Sequence, residues 1–212
     1  MVTVIIPALN EEGTIGSVIH ACLSSPLVSE VIVVDDGSTD QTASVASREG
    51  AIVLVHPENL GKARALFTGV NQAKEEVILC LDADLIGLET RHVQALVEPV
   101  LFGKQDASLG LFSQGRFRTD LAHWLTPNLS GQRCLKKDFL LSLESYASVR
   151  YGIEIVITKA LKREGKTQVK VKLDHVTHRM KEEKTGRDKG FLKRMSMYFD
   201  ILRELCRRTK KM

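Results

Sequence analysis

Four cysteines are spread through the 212 residues as Cys22, Cys80, Cys134 and Cys206, and no two form a C-x-x-C pair. Zinc and dithiol chemistry therefore have no support in the sequence, and Cys80, inside an apolar run, reads as a small core residue. Charge of one sign is also scarce. The net charge is only +4, which gives nucleic-acid binding no global electrostatic footing. No apolar stretch approaches the roughly 20 residues of a membrane span. Met1 to Pro7 is short and lacks a basic leader, so a signal peptide is not expected and a reducing, cytoplasmic setting is. No G-x-G-x-x-G follows the first apolar run, which argues against a dinucleotide-binding dehydrogenase. Residues 7–12 contain no glycine at all. That removes the Gly-rich phosphate loop of a sugar-phosphate nucleotidyltransferase.

What is present is ordinary globular material, 43% hydrophobic and 26% charged, arranged as an alternation of strands and helices. Residues 2–6, 31–34, 52–55 and 77–81 are short runs rich in β-branched and aliphatic residues, each read as a buried strand. Helical spacing fills 11–22, 39–49 and 62–73. This repetition predicts a mostly parallel sheet between helices, in which ligands bind at the carboxyl ends of the strands. Beyond residue 90 the spacing predicts helices over 89–102, 135–143 and 151–164 and strands over 107–112 and 167–173. Residues 117–132 read as a loop with a short helix holding Trp124. Residues 175–189 read as a loop, which Gly186 and Gly190 would let close over a ligand. Phe191 to Arg207 reads as an amphipathic helix. The chain is taken as one domain, with a nucleotide-binding half (1–90), an acceptor half (91–190) and the basic terminal helix (191–212).

The polar clusters all fall at predicted strand ends. Asp82-Ala83-Asp84 follows the fourth run, and a continuing strand would point both carboxylates to the same side. Hard divalent cations take carboxylate oxygens, so Mg2+ or Mn2+ fits there; a capped turn is the plainer alternative. Asp35 and Asp36 open a turn in which Ser38 or Thr39 is expected to cap a helix. Asn10 is likewise expected to cap the helix after the first strand, with Glu11 and Glu12 in its first turn. Gly61 and Lys62 open another helix, either as a solvated start or as a contact for phosphate.

Four segments in order carry a resemblance to a known family. They are Val4-Ile5-Ile6-Pro7-Ala8-Leu9-Asn10-Glu11-Glu12, Val31-Ile32-Val33-Val34-Asp35-Asp36-Gly37-Ser38-Thr39-Asp40, Asn59-Leu60-Gly61-Lys62-Ala63-Arg64-Ala65 and Leu81-Asp82-Ala83-Asp84. Together they resemble family 2 glycosyltransferases of the GT-A fold. The resemblance implies an α/β domain that moves a hexose from a UDP- or GDP-sugar to an acceptor. It implies that Pro7, Ala8, Leu9, Asn10, Glu11 and Asp36 line the nucleoside site and that Lys62 lies near the nucleotide. Asp82 and Ala83 are placed at the donor ribose, and Asp84 at a Mg2+ or Mn2+ ion. Ser130-Gly131-Gln132-Arg133 is similar to a Ser-Gly-x-Arg segment of dolichyl-phosphate-mannose-synthase-like and glucosyl-3-phosphoglycerate-synthase-like members, where it faces the acceptor. Gly152-Ile153-Glu154 resembles a Gly-x-Glu helix start in the same relatives, which places Glu154 near the sugar.

A histidine from the region of 175–178 completes the metal site in several such enzymes. His178 is the choice here, with Arg179 and Lys181 suited to a diphosphate. Asp84, Glu154 and Arg133 are then expected to carry the chemistry. The acceptor is expected to be a small phosphorylated molecule or a lipid phosphate. The Gln-x-x-Arg-Trp signature of processive synthases is missing, since Cys134 follows Arg133, and so is the acidic base segment of inverting members. A non-catalytic nucleotide-sugar-binding relative and, despite the missing Gly-rich loop, a sugar-phosphate nucleotidyltransferase stay open beside the transferase. For the terminal helix, packing on the domain, a homodimer and contact with the inner membrane face all stay open: Phe191, Leu192, Met195, Tyr198, Phe199, Leu202 and Leu205 form an apolar face, flanked by Lys and Arg.

Overall fold

Alternation of side chains along three hydrophobic strands decides the architecture. In β1 (Val2–Ala8), Val2, Val4, Ile6 and Ala8 enter one core while Ile5 enters the other. The same split recurs in β2 (Val28–Asp35), with Val31 and Val33 against Ile32 and Val34. It recurs again in β4 (Val77–Cys80), with Val77 and Leu79 against Ile78 and Cys80. Strands apolar on both sides need cover on both sides, which is why each is followed by a helix. Helices α1 (Ile15–Leu23), α2 (Thr42–Arg48) and α4 (Thr90–Leu101) cover one face. Helices α3 (Lys62–Gln72), α5 (Lys137–Leu141) and α6 (Ile153–Arg163) cover the other. The structure, a computed structural model, describes residues 1–112, 130–148 and 152–179.

The seven-stranded sheet runs β3-β2-β1-β4-β7-β6-β8, where β3 is Ile52–Val55, β6 is Ala107–Phe112, β7 is Arg133–Lys136 and β8 is Gln168–Leu173. All neighbours are parallel except β7, which runs antiparallel to both β4 and β6. The result is the mixed, mostly parallel α/β sheet expected. A two-stranded ribbon joins β5 (Leu85–Ile86) to β9 (Thr177–His178), antiparallel, at the carboxyl end of β4.

Several local expectations change. The helix read over 135–143 is strand β7 followed by the short α5. Cys134 and Leu135 are buried on opposite faces between two partner strands, and sheet pairing overrides the helical spacing of the residues behind them. The loop read over 175–189 begins with β9. Helix α1 starts at Ile15 after Thr14, so Asn10 is no cap and Glu11 lies outside the first turn. Helix α2 starts at Thr42 after Gln41, so neither Ser38 nor Thr39 caps it. The side chains that sequence reasoning assigned to capping instead cross-link two loops. The readings for 117–129, Lys181, Gly186, Gly190 and the terminal helix 191–212 fall outside the described residues. Among the described residues, no helix is long and apolar enough to cross a membrane.

Candidate active site

The carboxyl ends of β1, β2 and β4 meet at one edge of the sheet, and the polar clusters meet with them. At the first corner, the β1 and β2 loops are laced together. Asn10 takes a positive φ of 57°. Its Oδ1 accepts from the Thr39 backbone N–H at 2.8 Å, and its own N–H donates to Ser38 Oγ at 2.9 Å. The Glu11 N–H donates to Thr42 Oγ1 at 2.8 Å. Ala8 is buried, while Leu9 and Asn10 are exposed beside the loop.

Asp36 is buried and its carboxylate is already engaged. Oδ1 accepts from the Leu60 N–H at 3.0 Å and lies 2.7 Å from His56 Nδ1, and Oδ2 accepts from the Gly61 N–H at 2.8 Å. Its first role is to anchor the loop that opens α3.

The second corner is a charge cluster. Lys62, the first residue of α3, places Nζ 2.7 Å from Asp82 Oδ1 and 2.5 Å from Glu154 Oε1. Burial works against the Lys62 charge, but the two carboxylates outweigh it and hold its pKa above the usual lysine value. Burial likewise pushes the Asp82 carboxyl up, and the charges of Lys62 and His178, with hydrogen bonds from Lys62 and Gln132, bring it down to about 2. Gln132 Nε2 donates to Asp82 Oδ2 at 2.8 Å, and Ser130 Oγ donates to Gln132 Oε1 at 2.7 Å. Gly131 lies flat against Asp82: a Cβ there would come within 2.6 Å of Oδ1, so only glycine lets this segment approach. Arg133, 1% exposed, donates from Nε to the Ser130 carbonyl at 2.8 Å. Burial lowers its pKa to about 10, with Glu154 opposing the shift. Glu154 sits in the first turn of α6. Pro7, Leu66, Cys80, Leu81, Ile153 and Ile157 complete the walls of a cleft around these charges.

The third corner rests on the small ribbon. Register pairs His178 with Leu85, next to Asp84. His178 Nδ1 then lies 2.9 Å from Asp84 Oδ1, and the Arg179 N–H donates to the Asp84 carbonyl at 2.9 Å. Burial would lower the His178 pKa, but its bond to Asp84 and the charges of Asp82 and Asp84 raise it. The Phe112 ring meets the imidazole edge-on at 4.8 Å. One ligand atom each from Asp82, Asp84 and His178 lie within 4.8 Å of one another. Two carboxylates and an imidazole gathered at this spacing are a donor set that fits Mg2+ or Mn2+. His175 is exposed, with a positive φ of 62°, on the turn before the ribbon. Arg179 crosses to the first corner, where its guanidinium packs on Gly13 with Nη1 2.6 Å from where a Cβ would stand.

The structure thus brings together Lys62, Asp82, Asp84, Gly131, Gln132, Arg133, Glu154 and His178. Pro7 and Ala8 lie at the adjoining strand end, and Asn10 and Glu11 lie in its loop. Sequence reasoning missed His56 and Gly13. His56 had a legible signal, a polar residue just beyond the carboxyl end of the third strand, the one strand end that was passed over. Gly13 had none, because its neighbour lies 166 positions away along the chain.

Comparison with known proteins gives the family. Residues 3–152 match the family model described as glycosyl transferase family 2, and the chain belongs to that family. Within it, glucosyl-3-phosphoglycerate synthase of Mycobacterium tuberculosis (strain CDC 1551 / Oshkosh) is 41% identical over 193 residues, covering 73% of this chain and 58% of the relative. A crystal structure of the M. tuberculosis synthase with Mn2+, UDP-glucose and phosphoglyceric acid superposes with a TM-score of 0.75 and 29% identity, covering 95% of this chain and 78% of that one. The same synthase with Mg2+ and UDP gives a TM-score of 0.75, with the same identity and coverage. The fold is therefore GT-A. The chain spans only 34% to 58% of the length of the first curated relatives it matches.

Proposed function

We propose that this chain is a metal-dependent glycosyltransferase that moves a hexose from a UDP- or GDP-sugar to a small phosphorylated acceptor. The observation that carries this reading is the convergence of Asp82, Asp84 and His178 on one point, beside Lys62 and at the carboxyl ends of the strands. Asp84 and His178 would hold Mg2+ or Mn2+, with Asp82 alongside. When bound, the cation would supply compensation for the charge on a departing nucleoside diphosphate.

The chain's own groups do the rest. Pro7, Ala8, Leu9, Asn10 and Glu11 bound the nucleoside side. Arg179 holds a diphosphate oxygen from the edge of the ribbon, and Lys181 joins it. Lys62 keeps Asp82 ionised toward the donor ribose. Glu154 accepts a hydrogen bond from the sugar, and the segment 130–133 presents the acceptor, with Arg133 fixing its shape through Ser130. The nucleotide half (1–90) and acceptor half (91–190) contribute to one sheet, which supports reading them as one domain. A phosphorylated acceptor is supported by the glucosyl-3-phosphoglycerate synthase relatives and by the M. tuberculosis synthase structure that holds phosphoglyceric acid. We place the protein in the cytoplasm, with the basic segment 191–212 serving the domain itself, a second copy or the inner membrane face.

Thermal shift with UDP and GDP, each with Mn2+ or with EDTA, tests the donor half of the proposal. A nucleotide at about 100 times its Kd should stabilise the fold by roughly 2.7 kcal/mol, and only with the metal. UDP-glucose and 3-phosphoglycerate are the first pair to assay for turnover. No metal-dependent shift with either nucleotide would sink the reading.

A further inference from the structure

We infer that His56 is a positioning residue: acting through Asp36, it sets where Lys62 stands between Asp82 and Glu154. This rests on the transferase reading for its consequence but not for its geometry. His56 lies just beyond β3, where its own N–H donates to the Asp35 carbonyl at 2.8 Å. It is 8% exposed, and both ring nitrogens are engaged. Nδ1 lies 2.7 Å from Asp36 Oδ1 and Nε2 lies 3.0 Å from Thr68 Oγ1 on α3. Asp36 acts as acceptor for the Leu60 and Gly61 N–H groups, and it acts as acceptor toward His56 as well. The ring hydrogen is therefore on Nδ1, and Nε2 faces the Thr68 hydroxyl.

One imidazole thus ties three elements: β2 through Asp36, the end of β3 through its own backbone, and α3 through Thr68. The segment between them is the loop that delivers Lys62. Its last two amides, Leu60 and Gly61, hang on the same carboxylate that His56 orients. Lys62 follows at once and reaches both carboxylates of the cleft. If the imidazole is lost, the buried carboxylate keeps its two backbone donors but loses its third partner, and α3 loses its side-chain tie to the end of β3. The loop then gains freedom where a small displacement separates Nζ from Asp82 or Glu154. His56 and Thr68 do not line the cleft, so losing the imidazole acts on the donor site through Asp36 and Lys62 rather than by direct contact.

The test uses the full chain and the variants His56→Phe, His56→Asn and Thr68→Val. The first readout needs no substrate: hydrogen exchange of the Leu60 and Gly61 amides by NMR, against Val33 as an internal standard. The second is kcat/KM for UDP-glucose with 3-phosphoglycerate. In His56→Phe, both amides should exchange about tenfold faster than the standard predicts, and kcat/KM for UDP-glucose should fall about tenfold or more. His56→Asn, which keeps a donor for Asp36, should restore much of the protection and of kcat/KM. Thr68→Val should shift both readouts the same way by less. Unchanged exchange at Leu60 and Gly61 in folded His56→Phe overturns the inference, as does a lower melting temperature with kcat/KM intact. If His56→Phe does not fold, the other two variants decide by the same criteria. A wild type without turnover counts against the transferase reading alone, since the exchange data still judge the relay.

Discussion

The nucleoside corner and the metal corner of this site are built in opposite ways. At the first, two loops are joined by bonds from Asn10, Glu11, Ser38, Thr39 and Thr42, and Asp36 is held by three donors. Each bond contributes on the order of 1 kcal/mol, and several hold the same two loops. At the second, Asp84 and His178 face each other on a ribbon of two-residue strands, with one backbone bond from Arg179 beside them. Among the described residues the first corner is redundant, and the Asp84–His178 pair, with the Phe112 ring against its imidazole, is more sparsely held. Redundancy suits a surface that must only keep its shape. A sparse corner suits groups that must exchange their mutual contact for a ligand, since little else has to be broken.

The sharpest way to break this contrast is at the sparse corner. Asp84→Ala should lower kcat by about a hundredfold or more, abolish the Mn2+-dependent thermal shift, and leave the circular dichroism spectrum unchanged. A folded variant with normal turnover would remove the metal assignment. Next in size is Gly13→Ala. The φ of Gly13 is ordinary, so the obstacle is the Arg179 guanidinium, the movable end of a long side chain. Calorimetry should show UDP·Mn2+ binding several-fold more weakly, with the melting temperature almost unchanged. Equal affinity would mean that Arg179 does not need that seat.

At the redundant corner, Asn10→Ala removes an acceptor for Thr39 and puts alanine at positive φ. The expected loss is about 1–2 kcal/mol of stability by urea titration, with catalysis reduced far less than in Asp84→Ala. A larger effect on kcat than on stability would place Asn10 on the ligand.

The smallest effect belongs at the other end of the sheet. Glu30 is buried there, accepting from Thr3 Oγ1 and the Lys74 N–H at 2.8 Å each. Burial raises its pKa, but those bonds and the Lys74 charge lower it on balance. A lowered carboxyl pKa adds stability above the unfolded value of about 4.3, and that stability is lost as pH falls through the folded value. Glu30→Gln should therefore flatten the acid limb of the melting-temperature profile below about pH 4.3 and leave activity at neutral pH intact.

The same contrast explains what could be read from the residues alone. β1, β2 and β4 announce themselves because they are apolar on both faces, and their ends carry the carboxylates. The donor half, through Asp82 and Asp84, was legible for that reason. β7 was not, because four residues reading Arg-Cys-Leu-Lys have no period of their own. Their strand character comes from lying between β4 and β6. The ribbon that seats His178 was hidden in the same way. Two residues per strand give no pattern, and their partner is Leu85–Ile86, far back in the chain. The lacing by Asn10 and Thr39 was mistaken for capping because both uses call for the same short polar side chains at the same place after a strand.

The reversed strand β7 has a consequence for how the molecule comes into being. One edge of β4 is covered by β1, which is made early, but its other edge waits for residues 133–136. While the chain is being synthesised, Val77–Cys80 stands as an open, wholly apolar border with unpaired amides and carbonyls. Closing it requires a contact between residues more than fifty positions apart, which is slow to find. A chain halted after residue 90 should therefore associate with its own copies rather than bind nucleotide, because that border is left without its partner strand.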